Sequence, residues 1–114
     1  MEERTNMDRL MYDELVRGIL EALRGQAVRI VLYGSVARGT NTSESDIDIA
    51  VFVNVRPERE AEDRLADFIV DMNLKYDKVF SVIDIDNKVF DMWKSVTPFY
   101  QNVERDGVEL WKAA

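Results

Sequence analysis

Apolar residues return at steps of three and four through Leu10, Met11, Leu15, Ile19, Leu20 and Leu23, a spacing that predicts a helix over 5–25 with one apolar stripe. Thr5 or Asn6 can cap it, Asp8 suits its first turn and Gly25 lies where it should end. The pattern then changes. AVRIVLYGS reads as a buried strand that stops at Gly34. In SDIDIAVFVNV the period is two: Ile47, Ile49, Val51, Val53 and Val55 point to one side, and Asp46, Asp48, Ala50, Phe52 and Asn54 to the other. One side of that strand is pure core. The other begins with two acids.

Pro57 fits the first turn of a further helix, striped by Ala61, Leu65, Phe68, Ile69, Met72 and Tyr76. The charge-rich RPEREAEDR is its solvated face. KVFSVIDI predicts a third strand, and Asn87 caps a short helix through Val89, Phe90 and Trp93. TPFYQNVERDG predicts another helix, with Thr97 as cap, Pro98 at its first position and Gly107 past its end; VELW follows as a short extended piece. Trp93, Phe99, Tyr100 and Trp111 are expected to pack in the core or between helices. The mixed order of helices and strands is that of an α+β chain, and 114 residues suit a single domain over 1–114.

Composition narrows the chemistry. There is no cysteine and no histidine. Disulfides, thiolate catalysis, a Ser-His dyad and a usual zinc site are excluded, and any metal must be held by oxygen, which points to magnesium or manganese. With no cysteine, no apolar run long enough for a bilayer and an acidic, polar opening stretch, a cytoplasmic location is expected, with no membrane partner. A net charge of -7 argues against direct nucleic-acid binding, but a metal can still bring a nucleotide to an acidic surface.

The stretch GSVARGTNTSESDID concentrates the candidate chemistry. Asp46 and Asp48 share a face at the start of a strand, where two carboxylates repel each other and resist burial without a counterion. A divalent cation between them removes the conflict. Gly34 and Ser35 end the preceding strand and open a turn or short helix, whose free N–H groups favour anions; glycine lets a phosphate approach the main chain and serine adds a donor. A phosphate cradle facing metal carboxylates is a layout for nucleotidyl transfer. The P-loop pattern GxxxxGK[ST] is absent.

Gly34-Ser35, ten residues, then Asp46-Ile47-Asp48, with Arg38, Gly39 and Ser45 between, resembles the signature of the DNA polymerase β-like nucleotidyltransferase superfamily. Its length, element order and PFYQNVERDGVEL tail resemble the minimal nucleotidyltransferases, many of which act as the antitoxin of a HEPN-type protein. The resemblance implies the nucleotidyltransferase fold, a two-layer α+β arrangement with a small mixed sheet of about three to four strands and helices packed on one face. It implies Asp46 and Asp48 as catalytic metal ligands and Gly34, Ser35, Arg38 and Ser45 as nucleotide contacts. It implies Mg2+ or Mn2+, ATP as substrate, AMP transfer to a partner protein's hydroxyl and a HEPN-type partner. A non-catalytic antitoxin-like subunit with a vestigial site, or a small-molecule transferase, is the alternative. Exposed apolar residues toward the C-terminus also allow a homo-oligomer.

Catalytic relatives usually carry a third acid on the strand after the crossover helix. Asp84 invites that role, but a strand–helix–strand crossover makes the two strands parallel, which sets Asp84 roughly 10 Å beyond the acid pair. Ser81 then takes the third position, with Asp77 as the better-placed substitute and Asp84 a strand-end or helix-cap acid.

Overall fold

The computed structural model describes the backbone of residues 2–114 and the side chains of residues 8–114. The chain runs α1 (Glu2–Leu23), β1 (Ala27–Tyr33), α2 (Gly34–Arg38), β2 (Ile47–Val53), α3 (Arg59–Tyr76), β3 (Phe80–Asp86), α4 (Asn87–Trp93), α5 (Pro98–Asp106) and β4 (Val108–Lys112). Four strands form one sheet in the order β3-β2-β1-β4. β1 is antiparallel to both β2 and β4, whereas β2 and β3, joined through α3, are parallel. The parallel pair follows from its connection, because a helical crossover preserves the direction of the chain. The extended VELW piece becomes edge strand β4.

The α+β class and the mixed sheet are as expected, but the layering is not. The helices, expected on one face in two layers, cover both faces. α1 and α3 bury Leu15, Ile19, Leu23, Leu65 and Met72 against Ile30, Leu32, Ile49 and Val51. Across the sheet, Val31, Ala50, Phe52 and Ile85 lie under Phe90 of α4 and Val103 of α5. Phe52 and Phe90 meet edge to face at 4.7 Å. The cause lies in β2. Ala50 and Phe52 follow the two acids on the same face, and both are fully buried, so the middle of the strand is apolar on both sides and must be covered on both. Only the beginning of that face, where the acids sit, is left to other work.

Several local expectations shift. α1 extends back to Glu2, so Thr5 and Asn6 lie within it and not at its cap; their side chains fall outside the described ones. Leu10, placed in the α1 stripe, is exposed, and Val55 lies beyond the end of β2 in water. Pro57 precedes α3, whose N-cap is Glu58. The α4 cap is Asp86, whose carboxylate accepts from the N–H groups of Lys88 (2.8 Å) and Val89 (3.2 Å), and Asn87 is already helical. Trp93 and Phe99 are exposed, not core. α5 begins and ends as predicted, at Thr97-Pro98 and Gly107. Among the described residues no helix is long and apolar enough to cross a membrane.

Candidate active site

β1 delivers the chain to Gly34, where φ is +77° and the backbone turns into α2. A side chain here would be strained by that angle. It would also collide: a Cβ built on Gly34 runs into Oδ2 of Asp48 and lies 3.2 Å from its Cγ. Glycine therefore lets the Asp48 carboxylate lie directly against the turn. The register explains the approach, since Asp48 stands opposite Tyr33, the residue just before Gly34, in the antiparallel β1–β2 pair. Ser35 is partly buried at the start of α2. Its carbonyl accepts from the N–H of Thr40 (2.9 Å), which closes the turn beyond Gly39, itself at φ +75°.

Asp46 is exposed just before β2, and Asp48 is partly buried. Burial, then the negative charge of Asp46, push the Asp48 carboxyl above its ordinary pKa, while the Arg38 guanidinium opposes the rise. The same guanidinium helps to lower Asp106 of α5, after the dominant pull of Arg105. Arg38 is thus electrostatically coupled to the site, though it is exposed. Ser45 is committed locally: its Oγ accepts from the Thr42 N–H at 2.9 Å and shapes the loop leading to Asp46. A cleft of about 560 Å3 opens beside Asp46, with Ser45, Asp77 and Lys78 in its wall.

The third-acid expectation is decided by register. In the parallel β2–β3 pair Asp48 lies beside Ser81, and Asp84 lies beside Val51. Val51 belongs to the core under α1 and α3, whereas Ala50 and Phe52 belong to the opposite core. Asp84 is therefore displaced along the strand and also faces the other side of the sheet from Asp48. There it neighbours Glu62 of α3. Partial desolvation and that second carboxyl push Asp84 up to about 6, with Arg56 opposing. It does not cap α4. Ser81 stands at the position beside Asp48. Among the described residues no three potential metal-ligating side chains gather at one point. The oxygen donors present, two repelling carboxylates with a hydroxyl alongside, still suit Mg2+ or Mn2+.

Two residues at this site were not expected there. Tyr33 faces Asp48 across the strand pair, and its phenol is pushed up first by burial and then by the Asp48 charge. Phe99, in the first turn of α5, meets the Tyr33 ring edge to face at 5.5 Å. Tyr33 was legible from its place before Gly34 on the acid-bearing side of the β1–β2 pair. No signal in the sequence marks Phe99 as exposed.

The nucleotidyltransferase domain family matches residues 14–103, which take in Gly34, Ser35, Asp46 and Asp48. The chain belongs to that family. As a nucleotidyltransferase it is similar to two curated proteins of Methanocaldococcus jannaschii, both provisionally named protein adenylyltransferases. One is 34% identical over 86% of this chain and 92% of its own length. The other is 30% identical over 85% and 92%. Its fold is shared with a toxin–antitoxin crystal structure containing AMP-PNP, at TM-score 0.60 and 21% identity over 90% of this chain and 73% of that one. It is shared too with the structure of a tri-AMPylated Shewanella oneidensis HEPN toxin in complex with an MNT antitoxin, at TM-score 0.57 and 19% identity over 91% and 71%.

Proposed function

We propose that this nucleotidyltransferase acts as a single domain that moves AMP from metal-bound ATP to a hydroxyl of a partner protein, and that it is the antitoxin of a HEPN-type toxin. The observation that carries the reading is the seating of the Asp48 carboxylate on the side-chain-free turn at Gly34. It sets an acid pair against backbone able to take a phosphate. The names of the Methanocaldococcus relatives and the complexes formed by the structural neighbours support the acceptor and the partner.

Asp46 and Asp48 would hold Mg2+ or Mn2+, which supplies Lewis-acid stabilisation of the charge on the transferring phosphoryl group. Gly34 allows the phosphates to approach, and the Ser35 hydroxyl with the first N–H groups of α2 binds them. Arg38 adds positive charge from the end of α2. Ser45, bonded to Thr42, contributes by holding the loop that presents Asp46. The acceptor hydroxyl approaches over the open start of the acid face, beyond the cover of α4 and α5.

A second reading has one observation in its favour. The neutral Ser81 beside Asp48 leaves two carboxylates where a third would strengthen metal binding, which suits a subunit that neutralises its partner by contact alone. Incubation with ATP, magnesium and the HEPN-type partner, followed by intact-mass measurement, separates the two. Addition of AMP units to the partner supports transfer. Neutralisation in a stable complex with no mass change replaces it by the contact reading.

A further inference from the structure

Most aromatic residues of this chain are buried or partly buried, and Trp93 and Phe99 are the two exposed ones among the described residues. Phe52 and Phe90 are sealed in the core, at 0% and 1% exposure, whereas Phe99 leaves 41% of its surface in water. Exposure alone is no signal, since single apolar side chains are common at surfaces; Phe99 is distinguished by its place, next to the Tyr33 ring that stands opposite Asp48.

Phe99 is fixed in place. It follows Pro98 in the first turn of α5, a helix that packs against α2 and β1. One side of its ring is braced by Tyr33 at 5.5 Å and 90°, and Tyr100 lies 5.9 Å away. Tyr33 is the cross-strand neighbour of Asp48, which sets their Cβ atoms about 5 Å apart. The sequence of neighbours is therefore Asp48, Tyr33, Phe99: acid pair, phenol, open ring. On the other flank, the cleft beside Asp46 is lined by Asp8, Glu44, Asp77, Lys78 and the partly buried Tyr12. With the phosphates held on metal between the acid pair and the Gly34–Ser35 turn, the base end finds an open aromatic surface on the Phe99 side.

We infer that the exposed Phe99 ring, braced by Tyr33, is the platform on which the nucleobase of the nucleoside triphosphate stacks. This rests on the nucleotidyltransferase reading and adds to it where the base lies and how it is held. Stacking uses the π-face that every base has, so the platform favours nucleoside triphosphates over bare triphosphate while discriminating little between purines.

The test compares two probes on the whole chain with Mg2+: ATP, and inorganic tripolyphosphate, which has the phosphates and no base. Calorimetric titration gives both affinities. Phe99→Ala should weaken ATP roughly 5- to 100-fold, the scale of one base–aromatic stack, and leave tripolyphosphate unchanged. Phe99→Leu, which keeps apolar bulk to brace Tyr33, should lose ATP affinity in the same direction, and Phe99→Trp should retain it. GTP should bind the wild type within a few-fold of ATP. An ATP affinity unchanged in Phe99→Ala overturns the platform and leaves the nucleotide site standing. Equal loss of both probes in Phe99→Ala and Phe99→Leu also overturns it, because the residue then only shapes the phosphate turn. A wild type that binds neither probe refutes the nucleotide reading itself.

Discussion

Asp48 and Ser81 are register partners across the parallel β2–β3 pair, so a neutral hydroxyl stands beside the acid pair. The nearest acids on β3, Asp84 and Asp86, have the opposite parity and point toward the α3 side of the sheet.

Asp84→Asn should leave ATP affinity unchanged and should stabilise the protein in a pH-dependent way. In the folded chain the Asp84 carboxyl is raised from 3.8 to about 6 by desolvation and by Glu62. Between those values the unfolded chain releases its proton first, so stability falls as pH rises, and the penalty is complete above about 6. Thermal melts should therefore show Asp84→Asn above wild type at pH 7.5, with the gap closing toward pH 4. A large loss of ATP binding would place Asp84 in the site after all.

Replacing both Asp46 and Asp48 by Asn should abolish magnesium-dependent ATP binding with the fold intact. With metal chelated, the double variant should melt higher than wild type, because it has lost two charges that repel each other. Calorimetric titration and melting in chelator check both halves. Unchanged nucleotide affinity would refute the metal assignment.

Ser35→Ala should weaken ATP binding by about 1–2 kcal/mol, the scale of a hydrogen bond to a charged group. The ligand-free melting temperature should barely move, since the turn is closed by the Ser35 carbonyl and not by its hydroxyl. Lower stability with normal binding by the folded fraction would make the residue a turn former only.

Ser81→Asp should add a third carboxylate beside Asp48. The expected result is tighter Mn2+ binding, read by paramagnetic titration, together with lower stability when metal is absent. Unaltered Mn2+ affinity would mean that position 81 does not address the acid pair.

Much of this site could be read from the chain because strand periodicity is rigid. Period two put Asp46 and Asp48 on one face, and the direction of the α3 crossover set Ser81, not Asp84, beside them. Helices offered less. α4 and α5 are seven and nine residues long, too short for their stripes to say which face of the sheet they cover, so the second core went unforeseen. Composition also cannot tell a buried aromatic from an open one: Phe90 and Phe99 look alike in sequence, and only packing separates them. Asp86 and Asn87 are both able caps, and the choice fell to the residue at which β3 ends.

β1 has partners on both sides only because β4 returns to it. Arg29 of β1 donates to Glu109 of β4 at 3.0 Å across 80 residues of chain, and β4 is preceded by α5, which carries Phe99. Such distant pairing is slow to form and makes folding strongly non-local. A nascent chain that has emerged only through α3 presents β1 as an open edge with a free row of amides, a template for aggregation. The acid pair exists early in synthesis, but the brace on Tyr33 and the seal on β1 arrive together and late.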